Sequence, residues 1–127
     1  MKQLLFIAMG GAFGAVSRFI ISEATQRRWA GDFPIGTLTV NLIGCFLIGL
    51  VLQLGSQAEW LSPSLRALLV TGFLGALTTF STFGHDTIRC AESSLTHALL
   101  NIGLQVVLGL AAVVLGITVA RFYNPAS

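Results

Sequence analysis

The sequence predicts an all-α membrane protein of four transmembrane helices, with the third helix broken mid-membrane. Three observations carry that prediction. Of 127 residues, 54% are hydrophobic and only 9% charged, with a mean hydropathy of +0.84, whereas soluble domains carry about 25% charged residues. The apolar residues form four runs, giving spans of about 4–26, 34–54, 64–90 and 96–121 in a single domain, 1–127. The third run is longer than the ~20 residues that cross a bilayer, and it carries Thr78, Thr79, Ser81 and Thr82 just after Gly72 and Gly75. A backbone group freed in hydrocarbon finds no water, so such a break persists only beside protein or a water-filled path.

The first span opens with MKQLLFIAMGGAFGA, which looks like a secretory leader. Its apolar character continues to Ile21 and three more spans follow, so it reads as a retained helix. Gly10 and Gly14 form a GxxxG step that lets another helix approach closely. Arg18 is a charge inside the span, either a functional group or an anchor snorkelling to the helix end. Arg27, Arg28 and Trp29 mark an interface. Pro34 suits the first turn of the second span. Thr37 and Asn41, four apart, share one face of it, and Thr39 lies off that face. An Asn at that position either cross-links helices or lines a polar path.

Ser62 and Pro63 form a cap and first turn for the third span. The interruption is expected at Gly75–Thr78, where a Cβ on Gly75 would crowd the chain. Phe80 and Phe83 then open the second half on one face, beside a stripe of Thr79 and Thr82. Asp86 and Arg89 are spaced for an i,i+3 pair, and His85 reads as an ordinary satisfied polar residue. Ser93 and Ser94 cap the fourth span. There Asn101 and Gln105 share a face, and Gly103, Gly109 and Gly116 suggest a close-packing seam.

Charge excludes several classes. The net +2 is scattered, with no basic run beyond Arg27 and Arg28, so no nucleic-acid partner is expected and the surroundings are membrane lipid. Cys45 and Cys90 show neither CxxC nor histidine at ligand spacing. No nucleophile–base pair stands out, so neither an enzyme nor an organic cofactor is expected. Four spans put both termini on one side with Lys2, Arg66 and Arg121, against Arg27, Arg28 and Arg89 opposite. That balance leaves orientation nearly unspecified and permits an antiparallel homodimer.

The segments GGAFGAVSR (10–18), GTLTVNLIGCFLIG (36–49) and GFLGALTTFSTF (72–83) together resemble the CrcB/Fluc family of bacterial fluoride channels. The likeness implies a dual-topology antiparallel homodimer in the bacterial inner membrane, with two narrow pores that let cytoplasmic fluoride escape passively. It implies a structural sodium ion at the dimer centre, held by the backbone carbonyls of Gly75 and Thr78. It places Asn41, Phe80 and Phe83 on the pore, Ser81 and Thr82 on a polar track, and matches Arg18 to the family's first-helix arginine. Thr37 and Asn101 join the candidate path as polar neighbours. The chemistry suits fluoride, because neutral amides, hydroxyls and positive ring edges replace water without trapping the ion. The alternative is a small multidrug-type proton-coupled transporter, which needs a carboxylate deep in a span. Glu23 and Asp86 both lie off such a position in the sequence.

Overall fold

The structure, a computed structural model, describes residues 1–29, 31–56 and 61–123. Among them it is entirely helical, with four helices long and apolar enough to cross a membrane. They are α1 (Lys2–Trp29), α2 (Ile35–Gly55), a composite third span (Pro63–Ser93) and α6 (Leu95–Tyr123). The third span comprises α3 (Pro63–Arg66), a π-helical segment (Ala67–Leu74), α4 (Gly75–Leu77) and α5 (Phe80–Ser93).

Local chemistry sets the helix ends. The Ser62 hydroxyl accepts the Leu65 N–H at 3.3 Å, with Pro63 in the first turn. Ser94 alone caps α6, accepting the His97 N–H at 3.4 Å, while the Ser93 hydroxyl donates back to the Cys90 carbonyl at 3.0 Å. Pro34 sits one place before the expected first turn, as the N-cap of α2, and its carbonyl takes the Leu38 N–H at 3.2 Å. The Gln26 amide ties the α1–α2 connection, donating to Gly31 and Phe33 carbonyls and accepting the Gly36 N–H.

Glycine determines which helices meet. α1 packs mainly on the π-helical segment and α2 mainly on α6. A Cβ on Gly10 would strike the Leu68 carbonyl, and one on Gly14 the Phe73 carbonyl; Gly72 answers from the other side, facing the Ile7 carbonyl. The GxxxG step is therefore used inside the subunit. Across the α2–α6 seam, Gly49 lies against the Val113 carbonyl and Gly116 against the Phe46 carbonyl. Gly109 meets Cys45 Sγ at 3.5 Å from its would-be Cβ, but Gly103 faces open space, so the seam is shorter than its spacing suggested. The core is small, and its largest fully enclosed side chains are Leu77, Val40 and Asn101. Leu4, Phe13 and Phe19 on α1 and Leu99, Leu110 and Val114 on α6 stay exposed, as lipid-facing side chains would.

The break lies later than the sequence indicated. Gly75 is right-handed helical (φ −62°, ψ −32°), and extended backbone is confined to Thr78 (ψ 157°) and Thr79 (ψ 117°). A Cβ on Gly75 would meet only the Val70 carbonyl at 3.7 Å, so within the subunit nothing crowds it. Thr79 ends the interruption as the N-cap of α5, its hydroxyl accepting the Thr82 N–H at 3.2 Å. A β-branched residue suits extended backbone, and its hydroxyl suits a cap. Threonine, not glycine, fixes the site of the break.

The glycine seams give a paired test. Gly116→Ala drives a methyl into the Phe46 backbone and should cost about 1–3 kcal/mol of stability. Gly103→Ala meets nothing and should stay within about 0.5 kcal/mol of the parent. Unfolding of both variants in detergent, followed by circular dichroism, checks the difference.

Candidate functional site

Breaking a helix frees backbone groups, and here one side chain from α2 recovers them. Asn41 Oδ1 accepts the Thr79 N–H at 2.8 Å, and Asn41 Nδ2 donates to the Thr79 carbonyl at 3.2 Å. The carboxamide thus pairs with the Thr79 peptide as a neighbouring backbone would. Its second Nδ2 hydrogen goes to Gln105 Oε1 on α6 at 3.0 Å. In a continuous helix the Thr79 N–H would close on the Gly75 carbonyl; Asn41 diverts it. The Thr78 N–H and hydroxyl both still reach the Leu74 carbonyl, at 3.1 and 3.0 Å. Among the described residues no hydrogen bond ends on the Thr78 carbonyl.

Beside this break is an open cleft of about 380 Å³, whose lining includes Asn41, Gly75, Thr78, Phe80, Phe83 and Gln105. No charged side chain lines it. Phe80 is 82% exposed, and its ring centroid lies 5.5 Å from that of Phe83 with the planes at 57°. Tilted rings of this kind direct positive edges into the space beside them.

The other sequence-predicted site residues lie elsewhere. Ser81 and Thr82 are exposed and gather on the Thr79 cap, with Thr79 Oγ1 donating to Thr82 Oγ1 at 2.9 Å and Ser81 Oγ lying 3.4 Å away. Thr82 borders a separate cavity of about 250 Å³ together with Thr37, Asp86 and Arg89. There the buried Thr37 hydroxyl donates to Asp86 Oδ2 at 2.7 Å. The expected Asp86–Arg89 pair is not formed: Asp86 turns to Thr37 across the helix interface, and its other oxygen lies 3.9 Å from His85 Nδ1. Glu23 pairs with Arg27 at 3.2 Å on an exposed face. Asn101 is fully buried behind α5, donating to Thr87 Oγ1 at 2.8 Å, while Thr87 donates to the Phe83 carbonyl at 2.7 Å. It supports the Phe83 turn from behind. Arg18 is half-buried and outside the cleft lining.

Gln105 and Thr79 are the residues with polar side chains on the cleft, Cys45 apart, that sequence reasoning did not select. The signal for Gln105 was its position one turn from Asn101 on the same face; that for Thr79 was its place in the hydroxyl stripe. No cluster of three or more His, Cys, Asp or Glu suited to a metal occurs among the described residues. The carbonyls at the break are another matter. The Thr78 carbonyl lacks a hydrogen-bond partner, the Gly75 carbonyl has lost the Thr79 N–H, and both residues border the cleft. Such neutral oxygens fit a hard cation.

Fold and site together define a small multi-pass membrane protein whose polar groups converge on a broken helix and line a charge-free cleft. Residues 5–117 match the family described as CrcB-like protein, Camphor Resistance (CrcB), and the chain belongs to that family. A relative from Maridesulfovibrio salexigens is 44% identical over 122 residues, covering 95% of this chain and 97% of its own. One from Hydrogenovibrio crunogenus is 46% identical over 125 residues, with 97% and 95% covered. A third, from Sorangium cellulosum, is 43% identical over 122 residues, with 95% and 96% covered. All three are named fluoride-specific ion channel FluC.

Asn41→Leu should strand two buried backbone groups of Thr79. At about 1–3 kcal/mol for each unpaired group, the loss is roughly 2–6 kcal/mol. Thr39→Ala, which removes only a hydroxyl bonded to the Ile35 carbonyl of its own helix, should remain close to the parent. Thermal unfolding in detergent compares the two.

Proposed function

We propose that this chain is a fluoride-selective channel of the bacterial inner membrane that lets cytoplasmic fluoride leave passively and so protects against its toxicity. The likeness to relatives named fluoride-specific ion channel, over nearly the full length of both chains, carries this reading. The cleft supplies matching chemistry. An anion there meets amide and ring-edge dipoles rather than a fixed cation, and so is solvated without being held. Phe80 and Phe83 contribute the ring edges. Asn41 contributes by holding the break open, since both its Nδ2 hydrogens are engaged. The residues on the second cavity, Thr37 and Thr82, would extend the path toward the α1–α2 connection. Proton-coupled transport draws no support from the relatives' names, and no carboxylate lines the cleft among the described residues.

The working unit is an antiparallel homodimer. The exposed Phe80 and open cleft suit burial by a second subunit, and the balanced Lys and Arg count allows both orientations. The two halves of the third span, residues 63–77 and 80–93, are of nearly equal length, which supports a break near the bilayer mid-plane. Sodium would be held by the Gly75 and Thr78 carbonyls of both subunits. When bound it supplies positive charge among converging carbonyl dipoles. The chain's own contribution is to leave those oxygens free, by giving the Thr79 N–H to Asn41 and the Thr82 N–H to the Thr79 hydroxyl.

Fluoride efflux from loaded liposomes tests the reading. The parent should release fluoride and retain chloride, and Phe80→Ile or Phe83→Ile should slow release by about two orders of magnitude with dimer yield unchanged, because the ring edges are lost while bulk is kept. Normal efflux from both variants would remove the rings from the path. Orientation is tested separately: two lysines added at the C-terminus should bias it toward the cytoplasm. Activity should then disappear unless an oppositely biased copy is co-expressed.

A further inference from the structure

We infer that Gln105 is a specificity-determining residue: its carboxamide nitrogen gives the dehydrated anion the N–H donor it meets beside the break. This inference rests on the fluoride-channel reading above. It begins with a count of donors. Both Asn41 Nδ2 hydrogens are taken, by the Thr79 carbonyl and Gln105 Oε1. The Thr79 N–H is given to Asn41, the Thr79 hydroxyl to Thr82, and the Thr78 hydroxyl to Leu74. Of the side-chain nitrogens on the cleft, Gln105 Nε2 remains, buried and without a partner.

Its orientation is not open to reversal. The Thr79 N–H requires an oxygen, so Asn41 Oδ1 must face it and Asn41 Nδ2 must face α6. Gln105 must then present its oxygen to Asn41, because turning the amide over would set N–H against N–H. One backbone break therefore fixes two side-chain amides in sequence and leaves one donor uncommitted at the end of the chain. Asn101 Oδ1, the other buried atom without a partner, is an acceptor packed behind α5 outside the cleft lining and would repel an anion. A buried N–H without a partner is rare and costly, which points to a ligand. Because this nitrogen is enclosed, only an ion that has shed water on that side can use it, and a small anion fits that requirement best.

Two substitutions separate donation from support of Asn41. Gln105→Met is close in shape but neither donates N–H nor accepts well. Gln105→Glu keeps an oxygen for Asn41 at every pH; protonated it also offers O–H as a replacement donor, and ionised it offers none. The cleft holds no charged side chain and Cys45 is its only titratable group, so the introduced carboxyl dominates any pH response. Fluoride efflux is measured in liposomes across about pH 6–9, a range that reaches the raised pKa of a buried carboxyl, and is corrected for protein-free leak. Gln105→Met should fall roughly tenfold or more with an unchanged elution profile, the scale of one lost hydrogen bond to a charged group. Gln105→Glu should lose activity by a similar factor as pH rises, while the parent stays flat. A Gln105→Met channel within about twofold of the parent, or a Gln105→Glu channel equally active at every pH, would overturn the inference while leaving the channel reading intact. A parent inert toward fluoride would overturn both.

Discussion

The Thr79 peptide must stay hydrogen-bonded outside a helix, in a chain whose surroundings offer little water. A carboxamide is the side chain that can meet a peptide N–H and C=O at once, and Asn41 does so at 2.8 and 3.2 Å. That geometry needs α2 pressed against the broken span. Gly44 provides the room, since a Cβ there would collide with the Thr78 methyl. It also needs α6 close to α2, which Gly49 and Gly116 allow by admitting the carbonyls of Val113 and Phe46. Close packing at these glycines thus brings Asn41 of α2 to the peptide and Gln105 of α6 to Asn41, and backbone desolvation is the constraint behind both.

α5 carries polar chemistry in two directions. At its start, Thr79 faces Asn41 and the cleft. Two turns on, Asp86 faces Thr37 and a second cavity. Thr37 and Asn41 are one turn apart on α2, yet one serves a carboxylate and the other a peptide. The Thr79 and Thr82 hydroxyls, 2.9 Å apart, lie between these centres. A hydroxyl that gives its proton to a carboxylate presents no donor to an anion, so Thr37, like Asn41, has its donor committed within the protein.

The spans were legible because hydropathy is local and accumulates along the chain: Ile35–Gly55 contains no charge to interrupt it. The broken helix was legible from hydroxyls crowded into an apolar run. Its position was misjudged because Gly75 resembles a breaker, whereas the backbone there is helical and Thr78 and Thr79 carry the extension. Short-range rules also paired Asp86 with Arg89. Its actual partner, Thr37, is 49 residues away and visible only once α2 and α5 are packed. Asn101 and Gln105 show the same limit, since a shared face is readable from spacing but depth along the bundle is not. One turn, 5.4 Å along the axis, separates a residue behind α5 from one lining the cleft. Nothing in ALLVTGFL announces a π-helix, because that pattern depends on what the neighbouring helix admits.

The π-helical segment is where the third span can change length. A π turn holds more residues than an α turn, so it stores extra chain without ending the helix. Deleting one residue from Ala67–Leu74 would let the segment rewind toward α-helix and absorb most of the loss before Thr79. A regular α-helix has no such slack, and the same deletion there turns everything after it by about 100° and shifts it about 1.5 Å. The extra chain in this stretch therefore lets Thr79 keep its place against Asn41 while the first half of the span adjusts.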